Sequence, residues 1–317
     1  MSFSSETKNE LARITLEKKC CMLAELTGFM RVSGSLRLAG NGKFKIVLTT
    51  ENPAVARHYK TMIKTYYSVD AKLEINESNT PRKIGYSYSL TILPEDRSDL
   101  ILRETGILLV REGEDYISDG IYFNNLRSKC CKKAYLRGVF LGCGTITDPS
   151  KRYQLEFVTS SRQFATDLKK LIGSFVDLNA NVIKRNGSYV VYIKKADYIS
   201  DILAIMKAYN SMLEFENIMI NKGIRAEASR ITNCDNANLD RAVITAEKQI
   251  GQINVIKEKL GLENIPKPLK EVAELRLENP DANLSEIGEW LIPPIQKSGV
   301  NKRFKKIKEL AEKLNQE

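Results

Sequence analysis

The sequence is poor in histidine and has no long apolar run, and each absence excludes a class of protein. His58 is the only histidine among 317 residues, and no cysteine lies near it in the sequence. The paired Cys and His spacings of zinc sites are therefore missing, so we predict neither a metal site nor another cofactor. No segment approaches the roughly 20 apolar residues that span a bilayer, and the opening MSFSSETKNE lacks the apolar core of a signal peptide. We therefore expect a cytoplasmic protein with no membrane partner.

The six cysteines follow a pattern that favours reduced thiols over a disulfide framework. Four of them form two adjacent pairs, Cys20-Cys21 and Cys130-Cys131, within apolar helical patterns. Adjacent cysteines in such helices are typical of small, packed side chains. A redox-sensing role for Cys143 or Cys234 is an alternative that the sequence leaves open.

The charge balance favours an anionic partner. The chain has 49 Lys and Arg residues against 39 Asp and Glu, which gives a net charge of +10. A basic excess of this kind indicates nucleic acid first, although composition alone does not identify the partner.

One stretch of sequence occurs twice, 110 residues apart. The copies are KCCMLAELTGFMRVSG at 19–34 and KCCKKAYLRGVFLGCG at 129–144, and seven of their sixteen aligned positions are identical. Both are helical in pattern, yet each has a glycine in its interior, Gly28 and Gly138, which costs a helix about 1 kcal/mol relative to alanine. We therefore predict that the two helices pack closely across a pseudo-two-fold axis, with a four-stranded sheet on each side.

Each copy opens the same order of elements, α-β-β-α-β-β-α. In the first half we predict a helix from Thr7 to about Met30, a hairpin turning at Asn41-Gly42, and a helix from Pro53 to Tyr67. Two strands and a third helix follow, at 71–75, 84–93 and 94–104. The second half repeats the order with residues 106–128 as connector, and its elements are predicted at 132–141, 144–147, 152–159, 162–172, 179–184, 189–194 and 196–208.

The C-terminal third is helical in pattern. A long helix is predicted at 239–260, and the polar RITNCDNAN before it either caps that helix at Asn238 or bridges two domains. The predicted domains are a duplicated domain at 1–210 with repeats at about 7–105 and 125–208, a helical linker at 211–265, and a helix-turn-helix domain at 266–317.

Three short helices are predicted in the last domain, at 269–278, 284–291 and 299–314. Asn283 and Glu286 have the spacing of a capping box, Pro293-Pro294 stop the second helix, and Ser298 is the predicted cap of the third. An apolar stripe along the third helix faces the domain core, formed by Val300, Phe304, Ile307, Ala311 and Leu314. Helices of this length with tight turns fit a helix-turn-helix.

The third helix has the charge expected of a DNA-binding helix. Residues 297–308 contain six Lys or Arg and no Asp or Glu. We predict phosphate contacts from its basic side chains, and base contacts from Gln296, Ser298 and Asn301. The predicted DNA-binding residues are Gln296, Lys297, Ser298, Asn301, Lys302, Arg303, Lys305, Lys306 and Lys308. A solvated basic helix without DNA is the alternative.

The segments LTGFMRVSG and LRGVFLGCG resemble degenerate forms of the LAGLIDADG motif of homing endonucleases. The resemblance implies an α+β saddle, made of a duplicated α-β-β-α-β-β-α unit with the motif helices at its centre. In active members the acidic residue before the last glycine binds the divalent metal. Ser33 and Cys143 occupy those positions here, and the nearest acid, Glu25, lies at the other end of its helix. We therefore predict no catalytic residue and no enzyme activity.

The segments CCKKAYLRGVFLGCG, RITNCDNANLD and PPIQKSGVN resemble the WhiA family of Gram-positive bacterial regulators. This implies a transcription factor connected with sporulation and with cell division or chromosome segregation. Its partner would be double-stranded DNA on the nucleoid, bound by an all-α helix-turn-helix domain that follows the saddle domain. Two alternatives remain: a metal-dependent LAGLIDADG endonuclease, and a protein-interaction scaffold whose N-terminal domain binds another regulatory protein and for which DNA binding is secondary.

Overall fold

The computed structural model describes residues 2–16, 18–40, 42–80, 83–175 and 177–316. The chain forms two compact units, Met1–Lys222 and Gly223–Glu317. The three predicted domains, with boundaries at 210 and 265, stay a prediction. Within the described ranges, no helix has both the length and the apolar character needed to cross a bilayer.

The described residues of the first half of unit 1 form four α-helices and one four-stranded antiparallel sheet of order β1-β2-β4-β3. Its elements are α1 (Phe3–Leu11), α2 (Lys19–Ser33), β1 (Gly34–Leu38), β2 (Phe44–Thr50), α3 (Pro53–Tyr67), β3 (Lys72–Thr80), β4 (Lys83–Ile92) and α4 (Ser98–Glu104). Strands β1 and β2 pair as the predicted hairpin. Asn41 of its turn lies outside the described residues.

Two helix predictions in this half are wrong. The helix expected from Thr7 to Met30 is two helices, because α1 ends before the adjacent β-branched residues Ile14 and Thr15, which disfavour helix. The helix expected at 94–104 is interrupted at Arg97, whose φ of 59° is left-handed, so only a single 3-10 turn precedes α4.

The second half repeats the topology of the first. Its sheet has the order β7-β8-β10-β9 and is also antiparallel. Its elements are α5 (Lys129–Cys143), β7 (Gly144–Ile146), β8 (Leu155–Thr159), α6 (Arg162–Gly173), β9 (Asn181–Arg185), β10 (Ser188–Ile193) and α7 (Ala196–Met206). The predicted duplication and α+β class are therefore confirmed.

The connector between the halves contains a hairpin that the sequence analysis missed. Strands β5 (Leu108–Arg111) and β6 (Glu114–Ile117) pair with each other around Glu112 and Gly113. Both turn residues have positive φ, 54° and 86°, as a two-residue hairpin turn requires. The glycine at the second turn position was the available signal, but glutamate precedes it in place of the usual Asn or Asp.

The two repeated helices lie against each other at the centre of unit 1. A Cβ placed on Gly28 would lie 2.5 Å from the carbonyl oxygen of Tyr135, and a Cβ on Gly138 would overlap the carbonyl oxygen of Glu25. Only glycine permits two helix backbones to approach this closely. The predicted close packing of the repeated helices is confirmed.

The C-terminal region begins with a single long helix, α8 (Tyr209–Lys259), followed by α9 (Lys267–Glu278), α10 (Leu284–Trp290) and α11 (Lys297–Gln316). Of the two roles left open for RITNCDNAN, the cap at Asn238 is wrong, because Asn238 lies inside α8, where its side chain accepts a hydrogen bond from Arg241 at 3.3 Å. In unit 2, Ile253 and Ile256 of α8 pack into the same core as the three short helices.

Candidate nucleic-acid interface

The turn that starts α10 is fixed by a capping box, as predicted. The Asn283 Oδ1 accepts hydrogen bonds from the backbone nitrogens of Ser285 and Glu286 at 2.9 and 3.1 Å. The Glu286 carboxylate accepts a bond from the Asn283 nitrogen at 2.7 Å. Because the free N–H groups of the helix start are satisfied locally, α10 begins at a defined residue.

The connection from α10 to α11 is tight. The nitrogen of Ile295 donates to the carbonyl oxygen of Gly288 at 3.0 Å. A Cβ on Gly288 would overlap the Ile295 carbonyl and lie 3.2 Å from the Val300 side chain. The glycine in α10 therefore allows the turn to pass directly against that helix, which sets the position of α11.

Helix α11 begins earlier than predicted. The carbonyl oxygen of Gln296 accepts bonds from the nitrogens of Gly299 and Val300, so the helix starts at Lys297. The prediction of Ser298 as a cap is wrong, since Ser298 is the second helical residue. The predicted stripe is largely confirmed: Val300, Phe304, Ile307 and Ala311 are buried and Leu314 is half-buried.

Eight of the nine predicted DNA-binding side chains lie at the surface of unit 2. The exposed ones are Gln296, Lys297, Ser298, Asn301, Lys302, Lys305, Lys306 and Lys308. No Asp or Glu lies in the first turn of α11. The positive end of the helix dipole therefore adds to the lysine charges, and an anion such as a DNA phosphate is favoured there.

Two of the predicted residues have partners inside the domain. Arg303 is half-buried, donates to the Pro268 carbonyl oxygen at 3.2 Å, and lies 3.8 Å from the Glu271 carboxylate. Lys308 lies 3.7 Å from Glu312 one helical turn further on. Arg303 thus joins α11 to α9, and the lysines nearer the helix start are the more available contacts.

A buried arginine that the sequence did not indicate positions this surface. Arg276 of α9 is 2% exposed, and its Nη1 donates to the carbonyl oxygens of Pro280 and Ala282 at 3.0 and 2.6 Å. Its Nε donates to Gln249 of α8 at 3.1 Å, and its guanidinium lies 5.6 Å from the ring centre of Phe304. Burial lowers the pKa of Arg276 from its ordinary value. The available signal was helical spacing, because Arg276 shares the buried face of Val272 and Ala273.

In unit 1, Ser33 and Cys143 occupy the positions of the acidic residues of the LAGLIDADG motif, and their side chains do not suit a divalent metal. The Ser33 hydroxyl oxygen is buried and has no hydrogen-bond partner among the described residues. Burial raises the pKa of Cys143 to about 12, so its thiol stays protonated at neutral pH. A neutral hydroxyl and a neutral thiol do not provide the oxygen anions that Mg²⁺ prefers. We therefore assign no metal-dependent step to this site.

Glu25 forms a buried ion pair with Arg137 at the centre of unit 1. Its side chain is fully buried, and its Oε2 accepts bonds from Nε and Nη2 of Arg137 at 2.7 and 2.5 Å. The His58 Nε2 lies 2.8 Å from the other carboxylate oxygen, and Arg137 also donates to the Met206 carbonyl at 3.2 Å. The acid of one half therefore pairs with the base of the other.

The two cysteine pairs also meet, which the sequence spacing did not predict. The Sγ atoms of Cys20, Cys21, Cys130 and Cys131 all lie within 4.8 Å of one another. Within the described parts of the chain, this is the one group of three or more Cys, His, Asp or Glu side chains close enough to share an ion. The spacing of cysteines and His58 in the sequence did not indicate this group, and the absence of a metal site stays a prediction.

Both halves of unit 1 and the C-terminal helices match models of known protein families. Three family models match: the WhiA N-terminal LAGLIDADG-like domain at 19–108, the WhiA LAGLIDADG-like domain at 132–225, and the WhiA C-terminal HTH domain at 228–311. The probable cell division protein WhiA of Alkaliphilus metalliredigens is 44% identical over 313 residues, covering 99% of this chain and 98% of the relative. The chain belongs to the WhiA family.

Other WhiA proteins agree in length and fold. The probable cell division protein WhiA of Clostridium perfringens is 43% identical over 314 residues, covering 99% of this chain and 98% of the relative. The crystal structure of full-length WhiA from Thermatoga maritima aligns with a TM-score of 0.59 at 24% identity, covering 99% of each chain. The match to the WhiA HTH domain begins at residue 228, so it includes much of α8.

Proposed function

We propose that this WhiA-family protein is a sequence-specific regulator that binds double-stranded DNA through α11 of its helix-turn-helix. The observation that carries the proposal is the start of α11, which is exposed and has no Asp or Glu in its first turn. A tight turn connects this start to α10. In helix-turn-helix proteins the N-terminal residues of the second motif helix contact base edges in the major groove. Gln296, Ser298 and Asn301 have side chains of the kind that read bases, while the lysines neutralise phosphates.

The lysines of α11 differ in how available they are for phosphate contacts. Lys297, Lys302, Lys305 and Lys306 have no ion pair within the described residues, whereas Lys308 faces Glu312. Each phosphate that is no longer neutralised should make the negative slope of log K against log salt shallower by about 0.9. We expect Lys302→Ala, Lys305→Ala and Lys306→Ala each to produce this change and to weaken binding similarly on all sequences.

The matched control is Lys313→Ala. Lys313 is exposed on the same helix, and eleven residues separate it from Lys302, which is about 16 Å along a helix. Binding should be measured by fluorescence anisotropy over a range of salt, on duplexes chosen from a genome-wide map of bound sites. If the three lysine variants and the control have the same salt slope as the wild type, α11 does not contact the phosphates.

Base recognition needs a different measurement. Asn301→Ala and Gln296→Ala should reduce discrimination between target and scrambled duplex by about 1–3 kcal/mol for each base that is no longer recognised. Their salt slopes should stay unchanged, because neither side chain is charged. An equal weakening of binding on target and scrambled DNA would argue against base recognition by these two residues.

The proposed biological role is control of genes for cell division, chromosome segregation and sporulation, exerted on the nucleoid. The names of the relatives support the cell-division part of this role. A strain carrying Lys302→Ala and Lys305→Ala together should lose occupancy at mapped sites and change transcription of the adjacent genes. Transcription that stays unchanged in the absence of occupancy would oppose a regulatory role.

We propose further that unit 1 has no nuclease activity, supported by the neutral Ser33 and Cys143 at the former metal positions. Purified protein should leave bound duplexes intact in Mg²⁺ or Mn²⁺. Cleavage that persists in a Ser33→Ala/Cys143→Ala variant would implicate other residues or a contaminant, and cleavage abolished in that variant would restore the endonuclease hypothesis.

A protein partner of unit 1 is a second candidate function. On the second sheet, Val158 pairs with Val190 and Val190 with Ile183, which forms an apolar row across β8, β10 and β9. Val158 and Ile183 are exposed, whereas Val190 between them is buried. An apolar row favours protein over DNA. A photo-crosslinker at Ile183 should give a protein adduct in cells that Val158→Asp removes, and a DNA adduct would contradict this assignment.

A further inference from the structure

Four cysteine thiols come together where the two central helices begin. Cys20 and Cys21 lie in the first turn of α2, and Cys130 and Cys131 lie in the first turn of α5. Their sulfur atoms are all within 4.8 Å of one another. Four thiolates arranged tetrahedrally at the Zn–S length of about 2.3 Å are about 3.8 Å apart. No pair of sulfur atoms therefore has to approach by more than about 1 Å to reach the spacing of a tetrahedral ligand set.

The surroundings suit negatively charged sulfur. Both helices begin at this end, and neither has an acidic residue in its first turn. Lys18, Lys19 and Lys129 flank the cysteines in the sequence. The two helix dipoles and the lysine charges together offset the excess negative charge of four thiolates around a divalent cation.

The Ser128 hydroxyl group contacts both cysteines of α5. The Ser128 Oγ lies 3.1 Å from the Cys130 Sγ and 2.9 Å from the Cys131 Sγ, and it accepts a bond from the Cys131 nitrogen at 3.3 Å. Outer partners of this kind orient the ligands of metal sites. Cys20 and Cys130 are exposed while Cys21 and Cys131 are buried, so an ion can enter from solvent and be enclosed by the protein.

We propose that Cys20, Cys21, Cys130 and Cys131 bind one zinc ion. Soft thiolate ligands select zinc over magnesium or calcium, and a site with four protein ligands has no open position for a reacting water. The ion is therefore structural. It joins the first turns of two helices that are 110 residues apart in the sequence, with two ligands from each half of the duplication. This site is independent of the DNA-binding proposal.

The first test uses the full-length wild-type protein, isolated under reducing conditions. Elemental analysis should give about one zinc per chain. A thiol reagent should then modify Cys234 rapidly and the four ligand cysteines only after a chelator is added. Metal-free protein titrated with Co²⁺ should develop the visible absorption of a tetrahedral cobalt thiolate. Absence of zinc, absence of chelator-dependent protection and absence of this absorption would each overturn the proposal.

Variants separate the site from the other cysteines. Cys20→Ser and Cys130→Ser change exposed ligands and should lose zinc at least tenfold more readily to a competing chelator. Cys234→Ser changes an exposed cysteine outside the group and should retain wild-type zinc. Circular dichroism checks that each variant is folded. Alkylation and mass spectrometry provide a further check, because a disulfide among the four cysteines in freshly isolated protein, with no metal uptake after reduction, would assign the group to redox chemistry instead.

Discussion

The close crossing of the two central helices makes Gly138→Ala the sharpest test of the fold. An added methyl group would overlap the carbonyl oxygen of Glu25 and lie 3.0 Å from the backbone nitrogen of Phe29. Both obstacles are backbone atoms of the opposite helix, so no side-chain rotation relieves them. The only relief is a shift of α5 away from α2, which would disturb the packing on both sides of the interface.

Two effects of opposite sign determine the magnitude. Replacing an interior helical glycine by alanine stabilises the helix by about 1 kcal/mol. Forcing an extra methyl group into a well-packed core costs about 1–3 kcal/mol, and the upper end applies because a whole helix must move. The expected net loss is about 2 kcal/mol of unfolding free energy, which lowers the midpoint temperature of a unit of this size by roughly 4–8 °C.

Thermal and urea unfolding monitored by circular dichroism measure the effect. The matched control is Gly173→Ala at the end of α6, where a Cβ would meet its nearest atom, the Leu178 carbonyl oxygen, at an ordinary 3.9 Å. The control should be neutral or more stable than wild type by up to about 1 kcal/mol. A Gly138→Ala protein as stable as the control would refute the close helix crossing.

Three further substitutions test buried polar contacts. Arg137→Met leaves the Glu25 carboxylate buried without its cation and should cost about 3–5 kcal/mol in urea unfolding; adding Glu25→Gln should recover part of that loss, and strict additivity would argue against a direct pair. Arg276→Leu removes charged hydrogen bonds from unit 2 and should cost about 2–3 kcal/mol, so an unchanged unfolding midpoint would contradict its positioning role. Asn283→Ala removes the α10 cap and should cost about 1 kcal/mol; a cost of zero would mean that the cap is replaced.

The features that sequence reasoning recovered have local or repeated signals. The duplication of KCC and of the interior glycines identified the two central helices, and Asn283 with Glu286 marked the start of α10. Each of these patterns lies within a few residues or recurs at a fixed offset. Periodicity also placed Val300 and Phe304 in the core of unit 2.

The features that it missed depend on contacts between distant residues. Glu25 and Arg137 are 112 positions apart, and the four cysteines meet only because the helices that carry them begin side by side. For the polar RITNCDNAN, the sequence left open a helix cap at Asn238 or a bridge between two domains. The structure continues α8 through it, because a solvent-exposed helix has no need of an apolar face.

The buried pair between Glu25 and Arg137 makes the two halves unequal despite their shared ancestry. At an offset of 110 residues, Tyr135 corresponds to Glu25, and Thr27 corresponds to Arg137. In two copies of the first half, packed in the same way, each Glu25 would face Thr27 in place of Arg137, and in two copies of the second half each Arg137 would face Tyr135 in place of Glu25. Since a buried charge without a counter-charge is strongly unfavourable, each half selects the other as its partner. Cut into two chains, the protein should therefore reassemble as a heterodimer, with neither half forming a dimer of its own kind.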